Sequence, residues 1–295
     1  MRRQFVAVLG LCIVGLSGVL AVAQEEAVLL RWKLQPGERF RLQMKQDLNM
    51  KMNVQGQAFD TKMDITIHMS WNVQKVENGN ITLEQTIDRL LMNMNVPFVG
   101  DVKIDTQDAG KLDGLAKTVA DSIMPLVGAR ITQVMTDRGQ ITDVSIDPKA
   151  AEALGRNPQL KDLFSGDGLK KLFGQAAGVL PEGAVRPGDS WNQQIEVPSE
   201  LGKMIMDASY TYRGTQERDG RQAAHIATTV KMAFQGDQVQ VKNQQATGSI
   251  YFDVAAGRMT DTSLDQKMTM TLTVAGQTVD QEVTTKLQLT IAPAP

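Results

Sequence analysis

The chain has 295 residues, 31 basic and 33 acidic, and is 42% hydrophobic but only 5% aromatic. Near-balanced charge with no basic block excludes nucleic acid as an expected partner. A lone Cys12 and two histidines, His68 and His225, leave no disulfide and no zinc ligands of the usual kind.

The first segment reads as an export signal. Arg2 and Arg3 form a basic start, residues 5–22 form an uncharged apolar run, and Ala21-Val22-Ala23 is a small-x-small exit. The run approaches the length of a membrane span, but its glycines and the Ala-x-Ala exit favour cleavage between Ala23 and Gln24. Cleavage removes the cysteine and takes the 31 basic residues to 29 against 33 acidic. The expected product is 24–295, one β-rich domain, periplasmic or extracellular and not integral to a membrane.

Most of that product alternates with period 2, as strands with one wet face do. Leu42, Met44, Leu48, Met50, Met52 and Val54 share a face opposed by Arg41, Lys45, Asp47 and Lys51. A return strand carries Phe59, Met63, Ile65, Ile67, Met69 and Trp71 on its apolar parity. Asn78-Gly79 supplies positive φ for the next turn. The strand from Ile81 then changes parity between Ile87 and Leu90, which predicts a bulge near Asp88-Arg89.

The middle, about 110–180, changes period. Leu112, Leu115, Ala116, Val119, Ile123 and Leu126 stand at helical spacing, with Pro125 ending or kinking the helix. A hairpin over 131–146, turned at Asp137-Arg138-Gly139, precedes short helical pieces over 148–180. After the Pro181–Asp189 loop, strands resume over 191–197, 203–216, 222–234, 245–254, 259–274 and 278–291. Runs of fourteen to seventeen residues span about 50 Å. Twist makes a flat sheet of that length unfavourable. The expected fold is mainly β (α+β): a long, strongly curved antiparallel sheet or incomplete barrel, with the central helices packed on its concave face.

Three echoes recur. Pro36-Gly37-Glu38 resembles Pro187-Gly188-Asp189, the segment from Gly139 resembles that from Gly257, and the segment from Val54 resembles that from Val274. Offsets of 151, 118 and 220 residues fit no single tandem repeat. A two-half duplication with insertions and shared hairpin chemistry both remain open.

Catalytic signals are thin. Both histidines fall on polar parities, no Gly-x-Ser-x-Gly elbow exists in the mature chain, and the acids at 105, 108 and 113 miss calcium-loop spacing. The Phe164–Gly168 glycines lack a phosphate-binding ending. The reading carries no catalytic residue, no metal and no cofactor. Methionine is the unusual feature: 16 in the chain, concentrated on apolar strand parities. Flexible and polarisable, methionine suits surfaces that accept varied apolar partners. Met52, Met63, Ile65, Met69, Trp71, Met268 and Met270 are the candidate ligand-binding set; an ordinary core packed by the helices is the rival reading.

The signal, the long strands, the two Pro-Gly-acid-x-aromatic openings and the late "GSIYFD…GRM" hairpin resemble a family of exported bacterial proteins of unknown function. In architecture alone the chain is similar to periplasmic lipoprotein carriers, whose incomplete barrel shelters acyl chains. The family brings no activity to transfer; the expected function is that of a non-enzymatic exported protein that binds a hydrophobic or lipid-like ligand, or of an envelope interaction module. An outer-membrane β-barrel and a carboxylate-dependent hydrolase are the alternatives.

Overall fold

The alternation passes directly into strands. A computed structural model describes residues 26–54, 56–155, 180–199, 202–218, 220–274 and 277–295. Its strands are β1 (Arg39–Val54), β2 (Gln57–Glu77), β3 (Asn80–Val96), β4 (Gly100–Asp105), β5 (Arg130–Thr136), β6 (Ile141–Ile146), β7 (Ser190–Ser199), β8 (Gly202–Arg218), β9 (Arg221–Gln235), β10 (Val239–Asp253), β11 (Arg258–Val274) and β12 (Gln277–Pro293). Helices α1 (Gly114–Ile123) and α2 (Pro148–Gly155) lie in the middle, and 3-10 turns flank α1. The Phe164–Gly168 segment and much of the 148–180 helical expectation lie outside the described residues, as does the Ala23–Gln24 cleavage point.

The strands form one antiparallel sheet in the order β6-β5-β3-β2-β1-β12-β11-β10-β9-β8-β7, with β4 beside β3. The path does not close, and β6 and β7 are its edges. The predicted bulge is present: His68 faces Arg89 and Met69 faces Ile87, so Asp88 is the extra residue. That insertion keeps Ile87 and Leu90 on one face despite the parity change.

One end of the sheet is sealed. Residues 28–34 alternate in their turn: Leu30, Trp32 and Leu34 are buried, Lys33 is exposed, and the half-buried Arg31 donates to the Pro181 carbonyl. This strap pairs Val28 with Val185, donates from Trp32 N–H to the Asp137 carbonyl, and from Lys33 N–H to the Gly257 carbonyl. It thereby ties the β5–β6 turn, the β10–β11 turn and the approach to β7. Beneath it, Leu83 and Met135 from one wing share a core with Tyr212, Ala224 and Phe252 from the other. In a flat sheet β5 and β8 would stand eight strand spacings, roughly 38 Å, apart. Sharing one core requires the sheet to curl, as strand length led us to expect.

Helix α1 lies on this same apolar face. Val102 and Ile104 of β4 are buried against Ala120, with Met92, Met94, Ala116 and Val119 around them.

Two stretches of the sheet repeat each other. Before β1, Gln35 N–H donates to the Glu38 carboxylate and Gly37 N–H to the Val73 carbonyl. Before β7, Arg186 N–H donates to the Asp189 carboxylate and Gly188 N–H to the Tyr212 carbonyl. Register shifts follow Val73 and Tyr212 alike. Strand β3 pairs with β5 only over Asn80–Thr86, and β9 with β10 only over Ala223–Thr229. The meander β1-β2-β3-β5-β6 thus has the same layout as β7-β8-β9-β10-β11, and β12 joins the two.

Candidate functional site

The apolar parity places one continuous face across the sheet. Register rows run through it: Leu48 stands beside Met63, which stands beside Met94. Another row joins Met50, Val283 and Met268, and the next joins Met52, Gln281 and Met270. Met52 and Met270 are therefore two strands, roughly 10 Å, apart. The reverse face carries Lys45, Asp47, Lys51, Lys62 and Asp64, all exposed.

Burial along this face is uneven. At the sealed end, Phe40, Leu42, Val73 and Phe252 are 0–3% exposed. Toward the opposite end, Met44, Leu48, Met50, Met52, Met63 and Ile65 are only half-buried. The seven sequence-predicted residues therefore divide. Met69 and Trp71 pack against the sealed core. The Trp71 indole sits 6.3 Å from that of Trp32, and its N–H donates to Gln85 Oε1 at 2.9 Å. Met52, Met63 and Ile65 lie on the half-buried stretch of β1 and β2. Met268 and Met270, row-mates of Met50 and Met52, are buried in a separate patch with Val239, beside Met232, Phe234 and Val241.

Polar groups interrupt the face. Gln46 stands opposite Ile65 and Leu287, Gln266 beside Thr285, and Gln281 between Met52 and Met270. Gln244 faces Met268 and spans the interval between β9 and β10 beyond their paired half. Its amide donates to Met232 O at 2.8 Å and accepts from Met232 N–H at 2.6 Å, replacing the missing ladder. The sequence pattern could not flag these glutamines, because they read as breaks in an apolar stripe. Apolar walls with a few placed polar groups are the composition of small-molecule sites.

Other candidates have structural partners. The Arg89 guanidinium donates to Asp105, and that hydrogen bond holds the Asp105 carboxyl below its ordinary pKa. Asp108 pairs with Lys111, raising the lysine's pKa. His225 is not simply a solvated side chain. Its ring stacks on Tyr251 at 5.0 Å, and its Nε2 lies 3.0 Å from Ser249 Oγ. Partial burial, then the charges of Arg213 and Arg218, push its pKa below the usual histidine value. Arg218 in turn lies 3.9 Å above the Tyr251 ring. Among the described residues no three or more His, Cys, Asp or Glu side chains gather as metal ligands would. Two open clefts of about 430 and 360 Å³ flank Phe40 and the 293–295 terminus at the sealed end, away from the methionine rows.

A long-stranded, curled and unclosed antiparallel sheet with one apolar face defines the class of the protein. Residues 78–280 match the model of a family of unknown function, DUF6263. The chain belongs to that family. No curated protein matches it significantly. Among solved structures it is similar to lipovitellin, described for its lipid–protein interactions, at 14% identity and a TM-score of 0.48. That match covers 89% of this chain but only 26% of lipovitellin, so the chain spans about a quarter of that protein. It is also similar to the hypothetical lipoprotein YmcC of Escherichia coli, at 11% identity, TM-score 0.24, and 81% and 85% coverage of the two chains. The translocator domain of the autotransporter NalP from Neisseria meningitidis matches at 8% identity, TM-score 0.24, and 87% and 89% coverage. At these scores the likenesses supply no residue correspondence.

Proposed function

We propose that this is an exported, non-enzymatic protein that binds a hydrophobic or lipid-like ligand along the half-buried stretch of its apolar face. The observation that carries this reading is the gradient of burial along the apolar face of β1 and β2. Residues on the same strands go from fully buried at Phe40 and Leu42 to half-buried at Met50, Met52 and Met63. Apolar surface left partly in contact with water favours an apolar guest. Methionines adapt to guests of irregular shape. Gln46 and Gln281 offer hydrogen bonds to a guest's polar end. Export rests on the basic start, the apolar run and the Ala21–Ala23 exit.

The barrel alternative is disfavoured by which face is apolar. In an outer-membrane barrel the apolar parity faces lipid. Here that parity is the one the strap, Trp32 and α1 pack upon, and the opposite parity carries the charges.

Native mass spectrometry and solvent extraction of protein purified from a bacterial envelope test the reading. The wild type is expected to carry lipid, and Met63→Arg to lose it while remaining folded, because a long side chain on a half-buried site can snorkel to water. Protein that is free of ligand and unfolds on this substitution would place Met63 in an ordinary core and end the proposal.

A further inference from the structure

At the end of the sheet away from the strap, the β3–β4 turn exposes Phe98 and Val99 to solvent, at 88% and 61% exposure. Phe98 also holds φ at +67°, a left-handed conformation unfavourable for a bulky side chain. Elsewhere among the described residues, left-handed positions are taken by glycine or by Asn78, which tolerate them. An aromatic residue that is both conformationally disfavoured and in water contributes little to folding. Such local conflicts concentrate where function demands them. Its ring contact among the described residues is with Phe59, 5.7 Å away and edge-on. Phe59 lies on β2 opposite Met52, so the turn continues the apolar face to its outer lip.

We propose that this turn inserts into a lipid surface. The exposed apolar area of one Phe and one Val is on the order of 250 Å². A stable protein partner or a second copy of this chain needs roughly 1,200–2,000 Å², whereas a shallow wedge into a bilayer needs no complementary surface and gives weak, reversible attachment. Charge near the turn is balanced: Lys51, Lys62 and Lys103 are matched by Asp60, Asp64 and Asp101, all exposed. The surface therefore recognises apolar lipid and does not depend on anionic headgroups. The inference stands apart from ligand binding on the inner face, since a turn can dock whether or not the sheet carries a guest.

The test is co-flotation of residues 24–295 with phosphatidylcholine vesicles, with and without 20% phosphatidylglycerol. The wild type should float with both, with little effect of the anionic lipid or of salt. Phe98→Asn should float at least tenfold less, while its Tm stays equal or rises, because asparagine accepts the left-handed backbone. Its content of co-purified lipid should be unchanged, which separates this result from failure of the inner-face reading. Wild-type protein that stays with the soluble fraction, equal flotation of Phe98→Asn, or flotation only with anionic vesicles at low salt would each overturn the proposal.

Discussion

Trp32→Ala separates the sealed end of the sheet from its half-buried stretch. Trp32 is 7% exposed and lies between two rings, tilted against Trp71 at 6.3 Å and edge-on to Phe252 at 5.9 Å. Truncation returns roughly 200 Å² of apolar contact to water or to a void. At ~25 cal/mol per Å² that is about 5 kcal/mol, which agrees with the ~3–5 kcal/mol measured for burying aromatic side chains in other cores. The Trp32 N–H to Asp137 bond is a main-chain bond and survives the substitution, so the loss reads packing alone. Met63→Ala, on a half-buried site whose neighbours can collapse or hydrate, should cost only about 1 kcal/mol. Urea titrations followed by far-UV circular dichroism give both values, and the accompanying fall in Tm for Trp32→Ala should be about 10–15 °C. Equal losses for the two variants would refute the burial gradient on which the functional reading depends.

Three further outcomes follow from particular atoms. In Gly248→Ala the new Cβ would lie 2.3 Å from the Ser263 main-chain oxygen, which cannot yield without parting β10 from β11, so a loss of about 1–3 kcal/mol is expected in the same titration. His225 has a folded pKa below the ordinary 6.5, so the unfolded chain binds its proton more readily. Stability should be intact above that pH and fall as the pH drops from about 6.5 through the lowered folded value; Tm measured from pH 8 to 5 should fall less steeply in His225→Gln, and parallel profiles would contradict this. His68→Ala, on the charged face with no side-chain partner among the described residues, should change stability by no more than about 0.5 kcal/mol, read from its urea midpoint.

Strand parity was legible wherever apolar residues persisted on one side. It located the Asn78-Gly79 turn, the Asp88 bulge and the 131–146 hairpin, because each depends on neighbours along the chain. Strand β4 was missed, since Val102 and Ile104 alone make too short a pattern to separate from a loop. The first half of β10 was missed as well: after Val239 and Val241 its sequence is polar, and its pairing comes wholly from β11. The strap over 28–34 does alternate, but nothing local says that it crosses the end of a sheet and bonds turns more than a hundred residues away. The methionine rows were visible as stripes. Their division into a sealed part with Met69 and Trp71 and a half-buried part with Met52 and Met63 was not, because burial depends on what the chain places above each row.

The three sequence echoes sort themselves once the topology is known. Pro36–Glu38 and Pro187–Asp189 make the same bonds at the start of equivalent strands, and Gly139 and Gly257 occupy equivalent turns before β6 and β11. The third echo, Val54 and Val274, falls in the β1–β2 and β11–β12 connections, which are not equivalent. The offset is 151 at Gly37 and Gly188, 139 at Val73 and Tyr212, and 118 at Gly139 and Gly257, so 12 residues of the difference lie in the longer β1–β2 hairpin and 21 in the stretch that includes β4 and α1. A longer first hairpin and the β4–α1 segment together reconcile the two offsets. We propose a duplicated five-strand meander, later extended in its first copy and joined through β12; family members in which only one meander opens on the Pro-Gly-acid turn would speak against it. The β4–α1 segment has a physical consequence. Beyond Thr86, β3 leaves β5, and the freed edge is paired by β4 and covered by α1. Beyond Thr229, β9 leaves β10 in the same way, and the interval is spanned by the Gln244 amide. The two halves share a frame but not its covering: β4 and α1 pack on the first, whereas Met268 and Met270 of the second are buried in a patch with Val239.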